Sequence, residues 1–154
     1  MKHFAALWLF QCDIRRPAVT RKWGVIGAVM VALGCAESTP YGVVPVSGKI
    51  TYEDGTVIPA DEMILNFRSM ETPIDPKTHP RTGMCRVSVE DGTFDSVTTY
   101  AHADGVIRGK HKVSVGVRGA NGLVVVPKEY TSELTTPLIV DAADAPFEFK
   151  IAKP

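Results

Sequence analysis

The chain has 154 residues, of which 45% are hydrophobic, and its 17 basic side chains balance 17 acidic ones. Five of the basic residues and one of the acidic residues lie within residues 1–34, so the remaining 120 residues carry 12 basic and 16 acidic side chains and a net charge of about −4. Nucleic-acid binding requires basic surfaces that neutralise phosphates, so this acidic remainder predicts no nucleic-acid partner. Its length is typical of one domain that folds without disulfide bonds.

The first predicted element is an export signal. A basic pair at 21–22 precedes eleven uncharged residues at 23–33. A helix of that length spans only about half of a ~30 Å hydrocarbon core, so the segment is too short for a comfortable membrane span. A basic pair, a short apolar region and a small residue before the cleavage point are the parts of a secretory signal. We therefore predict a signal peptide over residues 1–34, cleaved between Gly34 and Cys35.

The end of this signal predicts lipidation of Cys35. The tetrad Ala32-Leu33-Gly34-Cys35 resembles the lipobox of bacterial lipoproteins, whose processing enzymes attach diacylglycerol to the cysteine thiol and then cleave in front of it. The tetrad departs from the usual pattern at Ala32, where leucine is commonest. Two or three acyl chains, such as palmitate, hold a protein at a membrane where one chain binds only marginally. We expect a membrane-anchored, extracytoplasmic protein facing the cell envelope or periplasm. A plain cleaved signal and an uncleaved short anchor are the alternatives.

Cys85 is predicted to be a buried thiol without a disulfide partner. Cys12 leaves with the signal and Cys35 carries the lipid, so no second cysteine is left to pair with it in an oxidising compartment. Cys85 alternates with Val87 and Val89, which places it on the apolar side of a strand, where a thiol behaves as a small hydrophobe. A reactive or intermolecular cysteine is the alternative. Because the sequence has no Cys/His cluster at metal-ligand spacing, we predict no metal site.

The rest of the chain has the periodicity of β-strands. Residues 35–43 are mostly small, polar or Pro/Gly residues, which we interpret as a short tether. From residue 44 onwards apolar residues recur at every second position, and Asp-Gly and Asn-Gly pairs supply the positive φ of tight turns. The sequence therefore predicts an all-β fold, an antiparallel β-sandwich of about seven strands over residues 44–154. The predicted strands are 44–52, 62–68, 84–90, 93–100, 110–118, 123–126 or 137–141, and 146–152.

Two segments interrupt this pattern. Residues 70–82 contain three prolines and no periodicity, so we predict a long exposed loop there. Residues 127–137 begin and end with proline and are predicted to hold one helical turn.

Several motifs resemble a known family. Residues 46–55 (VSGKITYEDG) resemble the opening of carboxypeptidase-regulatory-like, transthyretin-like domains. Residues 90–94 (EDGTF) and 104–115 (DGVIRGKHKVSV) are similar to the signature of small bacterial lipoproteins built on that sandwich, and 126–130 with 136–138 are similar to their ending. The resemblance implies a transthyretin-like sandwich with a structural or accessory role, and it names no catalytic residue.

The chain departs from the family pattern after Phe94. The family places an apolar residue two positions later, whereas here Asp95 and Ser96 both precede Val97. One inserted residue in a strand is accommodated by a β-bulge, which we predict at this point.

Two histidines and two aspartates are the candidates for catalytic chemistry. His102 and His111 lie near Asp91 and Asp104 in sequence, and such pairs can act as acid/base groups or metal ligands. However, no serine or thiol nucleophile lies in a recognisable motif. The Asp-Gly pairs lack the dense spacing of a calcium loop and are better explained as turns. We therefore predict no catalytic, metal-binding or cofactor-binding residues, and we expect His111→Ala to leave the fold intact.

Two functional interpretations follow from these features. The first is a non-catalytic, lipid-tethered structural or protein-interaction module that docks on another envelope protein. The second is a carbohydrate or small-ligand binding module, for which Tyr41, Tyr100 and Tyr130 would form a stacking platform beside loops at 70–82 and 119–136. Such tyrosines more often bury the ring and use the hydroxyl in a hydrogen bond. A cleft lined by exposed aromatic residues would favour the second interpretation, and a flat apolar patch or an unprotected edge strand would favour the first.

Overall fold

The computed structural model describes residues 39–119 and 123–154, and this part of the chain is all-β, as the alternating apolar residues predict. Within it, nine strands follow in chain order: β1 (Val43–Val44), β2 (Gly48–Tyr52), β3 (Ala60–Ser69), β4 (Gly83–Arg86), β5 (Thr93–Phe94), β6 (Val106–Ile107), β7 (Lys110–Gly119), β8 (Ile139–Asp141) and β9 (Phe147–Ile151). The same described part contains two short 3₁₀ helices, at Lys128–Thr131 and Ala142–Asp144, the first of them where one helical turn is predicted.

The described strands form three sheets. The largest has the order β4-β3-β7-β8 and is antiparallel throughout. A second sheet has the order β5-β2-β9, and β1 and β6 form a separate antiparallel pair. The antiparallel prediction is corrected at one described pair, because β9 runs parallel to β2. Parallel neighbours need a long crossover, which the chain between residues 52 and 147 supplies by passing through the other sheet.

The hydrophobic core lies between the four-stranded and the three-stranded sheet. Phe67 on β3 contacts three phenylalanines of the other sheet, and its ring centroid lies 6.0 Å from that of Phe94, 6.1 Å from that of Phe147 and 6.3 Å from that of Phe149. All four side chains are buried. Because each strand turns alternate residues to this side, the period-two pattern of the sequence becomes the packed face of each sheet.

Three long strands match their predictions to within two residues. β3, β7 and β9 correspond to the predicted strands 62–68, 110–118 and 146–152. Of the alternatives 123–126 and 137–141, only the second contains a strand, which is β8.

Other predicted strands are shorter than expected. The prediction 44–52 is divided after β1 at Pro45, which lacks the N–H that a continuous ladder requires, and β1 and β2 belong to different sheets. Of the predicted strand 84–90, only residues 84–86 belong to a strand, β4, which ends at Arg86. The prediction 93–100 holds only for the two residues of β5.

The shortness of β5 reflects a change of sheet. Phe94 pairs with β2, whereas Thr98 exchanges two backbone hydrogen bonds of 2.9 Å with Met84 of β4. Residues 95–96 between them are exposed, and Val97 is buried again. The inserted residue predicted as a β-bulge therefore lies in the crossing from one sheet to the other.

Candidate functional site

The residues predicted to carry the anchor, Gly34 and Cys35, lie outside the described residues. The described chain starts at Thr39, four positions after Cys35. Thr39 Oγ1 donates a hydrogen bond of 2.8 Å to the carbonyl of Tyr41, whose side chain is buried. The predicted tether 35–43 therefore overlaps the folded region.

Tyr41 joins this start of the chain to residues 70–82, which we call the proline loop. Its hydroxyl donates a hydrogen bond of 3.0 Å to the Thr78 carbonyl and accepts one of 3.0 Å from the Ile74 backbone N–H. These two partners lie on either side of the loop tip. The tip is thus held against the residues that follow the predicted anchor.

The proline loop is largely exposed, as predicted, and its tip has a defined turn. Asp75 Oδ1 accepts hydrogen bonds from the backbone N–H of Lys77 at 2.7 Å and of Thr78 at 2.9 Å. Both bonds favour the charged carboxylate, so they lower the pKa of Asp75, and the bond from the Lys77 N–H is the largest cause. Two apolar side chains of the loop face solvent, Met70 with 50% and Ile74 with 60% of their surface exposed.

Asp104 holds a second loop in shape. Its carboxylate accepts hydrogen bonds from the backbone N–H groups of Thr99 (2.8 Å), Tyr100 (3.0 Å) and Ala101 (3.0 Å). Desolvation acts to raise its pKa, but these backbone bonds outweigh it, and the net pKa is lowered. A carboxylate with three backbone donors has a structural role, and the neighbouring His102 is exposed on the same loop.

His111 is a core residue. Its side chain is 1% exposed, its Nδ1 lies 3.1 Å from the Gly109 carbonyl oxygen, and its ring centroid is 6.4 Å from that of Phe67 in an edge-on arrangement. Desolvation is the main reason for its lowered pKa, opposed by the Gly109 hydrogen bond and by the charges of Asp141 and Glu71. This burial changes the expected effect of alanine at 111, because the substitution would empty part of the interior and lower stability.

The fourth catalytic candidate, Asp91, holds a turn. Its Oδ1 accepts hydrogen bonds from the backbone N–H of Thr93 at 3.1 Å and from the Thr93 hydroxyl at 2.8 Å. Its pKa is lowered, chiefly by a hydrogen bond from the Ser88 side chain. Within residues 39–119 and 123–154, no group of three or more His, Cys, Asp or Glu side chains is arranged to hold a metal ion.

Cys85 is buried, as its alternation with Val87 predicts. It is 5% exposed, and desolvation raises the pKa of its thiol to about 12. A thiol with so high a pKa is a poor nucleophile at neutral pH. The predicted alternation ends before Val89, which is 38% exposed because β4 stops at Arg86.

A groove with a volume of about 550 Å³ lies on the side of β3 and β4 that faces away from the core. We call it the outer groove. Its walls include the apolar side chains of Ile64 and Met84, together with Arg86, Thr98 and His102. Met84 is 52% exposed although it is apolar. The lining offers an apolar floor with polar groups at its margin, an arrangement common to ligand and peptide sites.

The tyrosines do not line this groove. Tyr41 and Tyr130 are buried, and the Tyr130 hydroxyl lies 3.5 Å from the backbone N of Ala152. Tyr100 is half-buried, its hydroxyl is enclosed, and the guanidinium carbon of Arg81 lies 5.2 Å from the centre of its ring. The expectation that such rings are packed rather than exposed as a platform is confirmed for Tyr41 and Tyr130.

Sequence reasoning did not single out Tyr41 as a link to the proline loop, nor Met70 and Ile74 as exposed apolar residues. The exposure of Met70 and Ile74 could have been predicted, because they lie in a proline-rich segment without strand periodicity. Such a segment has no regular face that could bury them in the core.

Comparison with known proteins gives no relative: no family model, no curated protein and no solved structure matches this chain. The part of the chain that the structure describes also contains no helix with the length and apolar character needed to cross a bilayer.

Proposed function

We propose that this protein is a non-catalytic lipoprotein, tethered to a membrane through lipid on Cys35 and serving as a structural or protein-interaction module of the cell envelope. The observation that carries the proposal is the basic, apolar, Gly-Cys order that ends four residues before the described fold. An anchor at this position leaves a short connection between the lipid and a folded domain, which is the organisation of a tethered accessory module.

The proposed domain is of the transthyretin-like, carboxypeptidase-regulatory-like kind. Two features support the assignment. The core is formed between two facing sheets, and the glycines of the Asp-Gly motifs, Gly55, Gly92 and Gly105, have φ of 82°, 77° and 103°. These values lie where glycine is favoured, so the motif residues perform the turns that the resemblance implies.

The non-catalytic part of the proposal is supported by the roles of three of the four candidate residues. The Asp104 carboxylate accepts three backbone N–H bonds, Asp91 shapes a turn, and His111 packs in the core. A catalytic site needs a nucleophile or base that is free to contact substrate. These side chains are instead committed to the fold.

The face that we assign to a protein partner is the outer surface of the four-stranded sheet. There Glu62 contacts two arginines across strands, with distances of 3.3 Å to Arg86 Nη2 and 2.8 Å to Arg118 Nη2. Arg86 also forms part of the wall of the outer groove. Exposed ion pairs add little stability, so a row of oriented charges beside an apolar groove is better suited to recognition than to folding.

The lipid anchor is tested by metabolic labelling with an alkynyl fatty acid. The wild-type protein should carry the label, and Cys35→Ser should lose it. Cys85→Ala is the matched control, because it also removes a cysteine but leaves the predicted attachment point, and it should be labelled like the wild type. Equal labelling of wild type and Cys35→Ser would refute the anchor.

The second candidate function, binding of a carbohydrate or another small molecule, is favoured by the volume of the outer groove. Met84→Glu places a charge on its apolar floor at an exposed position, so the fold should be retained. Loss of a small-molecule or glycan ligand in Met84→Glu, but not in Val89→Glu, would support this function. Loss of binding to an envelope protein in Met84→Glu, but not in Val89→Glu, would support the function as a protein-interaction module.

A further inference from the structure

The proline loop presents apolar side chains that the domain does not bury. Met70 is 50% exposed and Ile74 is 60% exposed, and prolines at 73 and 76 stiffen the backbone around Ile74. The turn at Asp75 and the bond from Ile74 N–H to the Tyr41 hydroxyl fix the shape of the tip. Stiff loops of this kind can present an apolar residue without losing much conformational entropy on contact.

The position of the loop relative to the anchor is set by covalent geometry. Thr39 is four residues from Cys35, and four residues of extended chain span at most about 14 Å. Tyr41, two residues further on, is hydrogen-bonded to both sides of the loop tip. A lipid on Cys35 would therefore hold the proline loop close to the bilayer surface.

The opposite end of the domain lies roughly the length of β3 away from the proline loop. The proline loop follows the last residue of β3, and the ten residues of β3 extend roughly 30 Å. Ala60, at the other end of β3, pairs with Gly119. Two further exposed apolar residues, Leu123 and Val124, lie beside Gly119 at that distant end.

The charges of the loop point to a contact based on apolar surface. Lys77 and Arg81 are balanced by Glu71 and Asp75, so the loop has no net charge with His79 neutral. Such a loop neither gains nor loses much from anionic lipids, whereas polybasic membrane segments depend on them.

We propose that the proline loop docks on the lipid surface, with Met70 and Ile74 in the boundary between headgroups and acyl chains. The occupant is the bilayer that holds Cys35, and this inference rests on the proposed lipid anchor. Docking there directs the end of the domain that carries Ala60 and Leu123 away from the membrane.

The experiment uses the purified, lipidated protein in phosphatidylcholine vesicles, with and without phosphatidylglycerol. A fluorophore is placed on Thr72→Cys in the loop or on Asp61→Cys at the far end of β3. Selective labelling is expected because Cys85 is buried. Brominated lipid should quench the label at 72 at least about twofold more than the label at 61, because the two sites are separated by roughly the length of β3. The difference should be the same with and without phosphatidylglycerol.

Two further variants identify the residue responsible. Ile74→Asp should lower quenching at 72 towards the level at 61, since a charge is costly in the acyl boundary. Leu123→Asp, an equally exposed apolar position at the other end, should leave it unchanged. Circular dichroism spectra like that of the wild type should show that both variants are folded.

The outcomes separate the two proposals. Protein that does not float with vesicles and lacks the mass of a lipid would overturn the anchor and the docking together. Protein that floats but shows equal quenching at 72 and 61 would overturn the docking alone. Shielding of the label at 72 from water without quenching by lipid would mean that a second copy of the protein covers the loop, which also overturns the docking on lipid.

Discussion

Replacing Phe149 with alanine should remove a large part of the free energy of unfolding. The side chain is 4% exposed, and its ring centroid lies 5.6 Å from that of Phe147, 6.2 Å from that of Phe94 and 6.3 Å from that of Phe67. Burying roughly 200 Å² of phenylalanine surface contributes about 5 kcal/mol as an upper value. Substitutions of buried phenylalanine by alanine cost about 3–5 kcal/mol, against a total of about 5–15 kcal/mol for an ordinary domain.

The assay is urea unfolding followed by far-ultraviolet circular dichroism, because both tryptophans, Trp8 and Trp23, precede the predicted cleavage point. Glu148→Ala, at the neighbouring exposed position of β9, is the matched control and should change stability by less than about 0.5 kcal/mol. A loss below about 1 kcal/mol for Phe149→Ala would show that the four rings do not form the stabilising centre of the core.

Two other predictions concern buried groups. A water-soluble maleimide should react slowly with Cys85 in the native protein and rapidly in denaturant, because burial raises the pKa of this thiol to about 12; fast native reaction would refute this. Burial also lowers the pKa of His111 below its ordinary value near 6.5, so the unfolded chain binds a proton at this histidine more readily than the folded chain does. Protonation of His111 should therefore lower the stability of the fold as the pH falls below about 6.5. Urea midpoints should therefore drop more from about pH 7 to about pH 5 in the wild type than in His111→Gln, and equal drops would contradict this.

The burial of His111 could have been predicted from the sequence. His111 has the same parity as Val113 and Val115 on β7, and the structure buries all three. The alternation of a strand determines which side of the sheet a side chain points to, whatever its residue type. A histidine at an inward-facing position is therefore buried together with the valines on the same side. The same rule places Cys85 inside.

The features that sequence reasoning did not predict depend on contacts between distant residues. The crossing after Phe94 is decided by the pairing of Thr98 with Met84, and the parallel pair forms between Gly48 and Phe147. A local pattern of apolar residues indicates that a strand exists and which face is buried. It does not identify the neighbouring strand or its direction, because those depend on the whole topology.

The same limitation applies to the candidate membrane-facing end. The motif at Cys35 is local and could be identified from its order of residue types, whereas the bond from Tyr41 to the proline loop joins residues 33 positions apart. Two exposed apolar residues in a loop do not by themselves indicate a binding surface, since single apolar residues on a protein surface are common. Their position becomes informative because the fold places them beside the start of the described chain, four residues after the proposed lipid attachment point.

The start of the described chain is held to the rest of the domain from more than one side. β1 pairs with β6 through Val43 with Ile107 and Val44 with Val106. At Gly105, where φ is 103°, the backbone approaches the Val44 carbonyl so closely that a Cβ would overlap it, so this contact requires glycine. With Tyr41 bound to the proline loop, the chain after Thr39 has little freedom to separate from the domain. If Cys35 carries lipid, only residues 36–38 connect it to this fixed segment, at about 3.3–3.6 Å per residue. That attachment would keep the proline loop within reach of the membrane, and contact of Met70 and Ile74 with the lipid would then set the orientation of the domain.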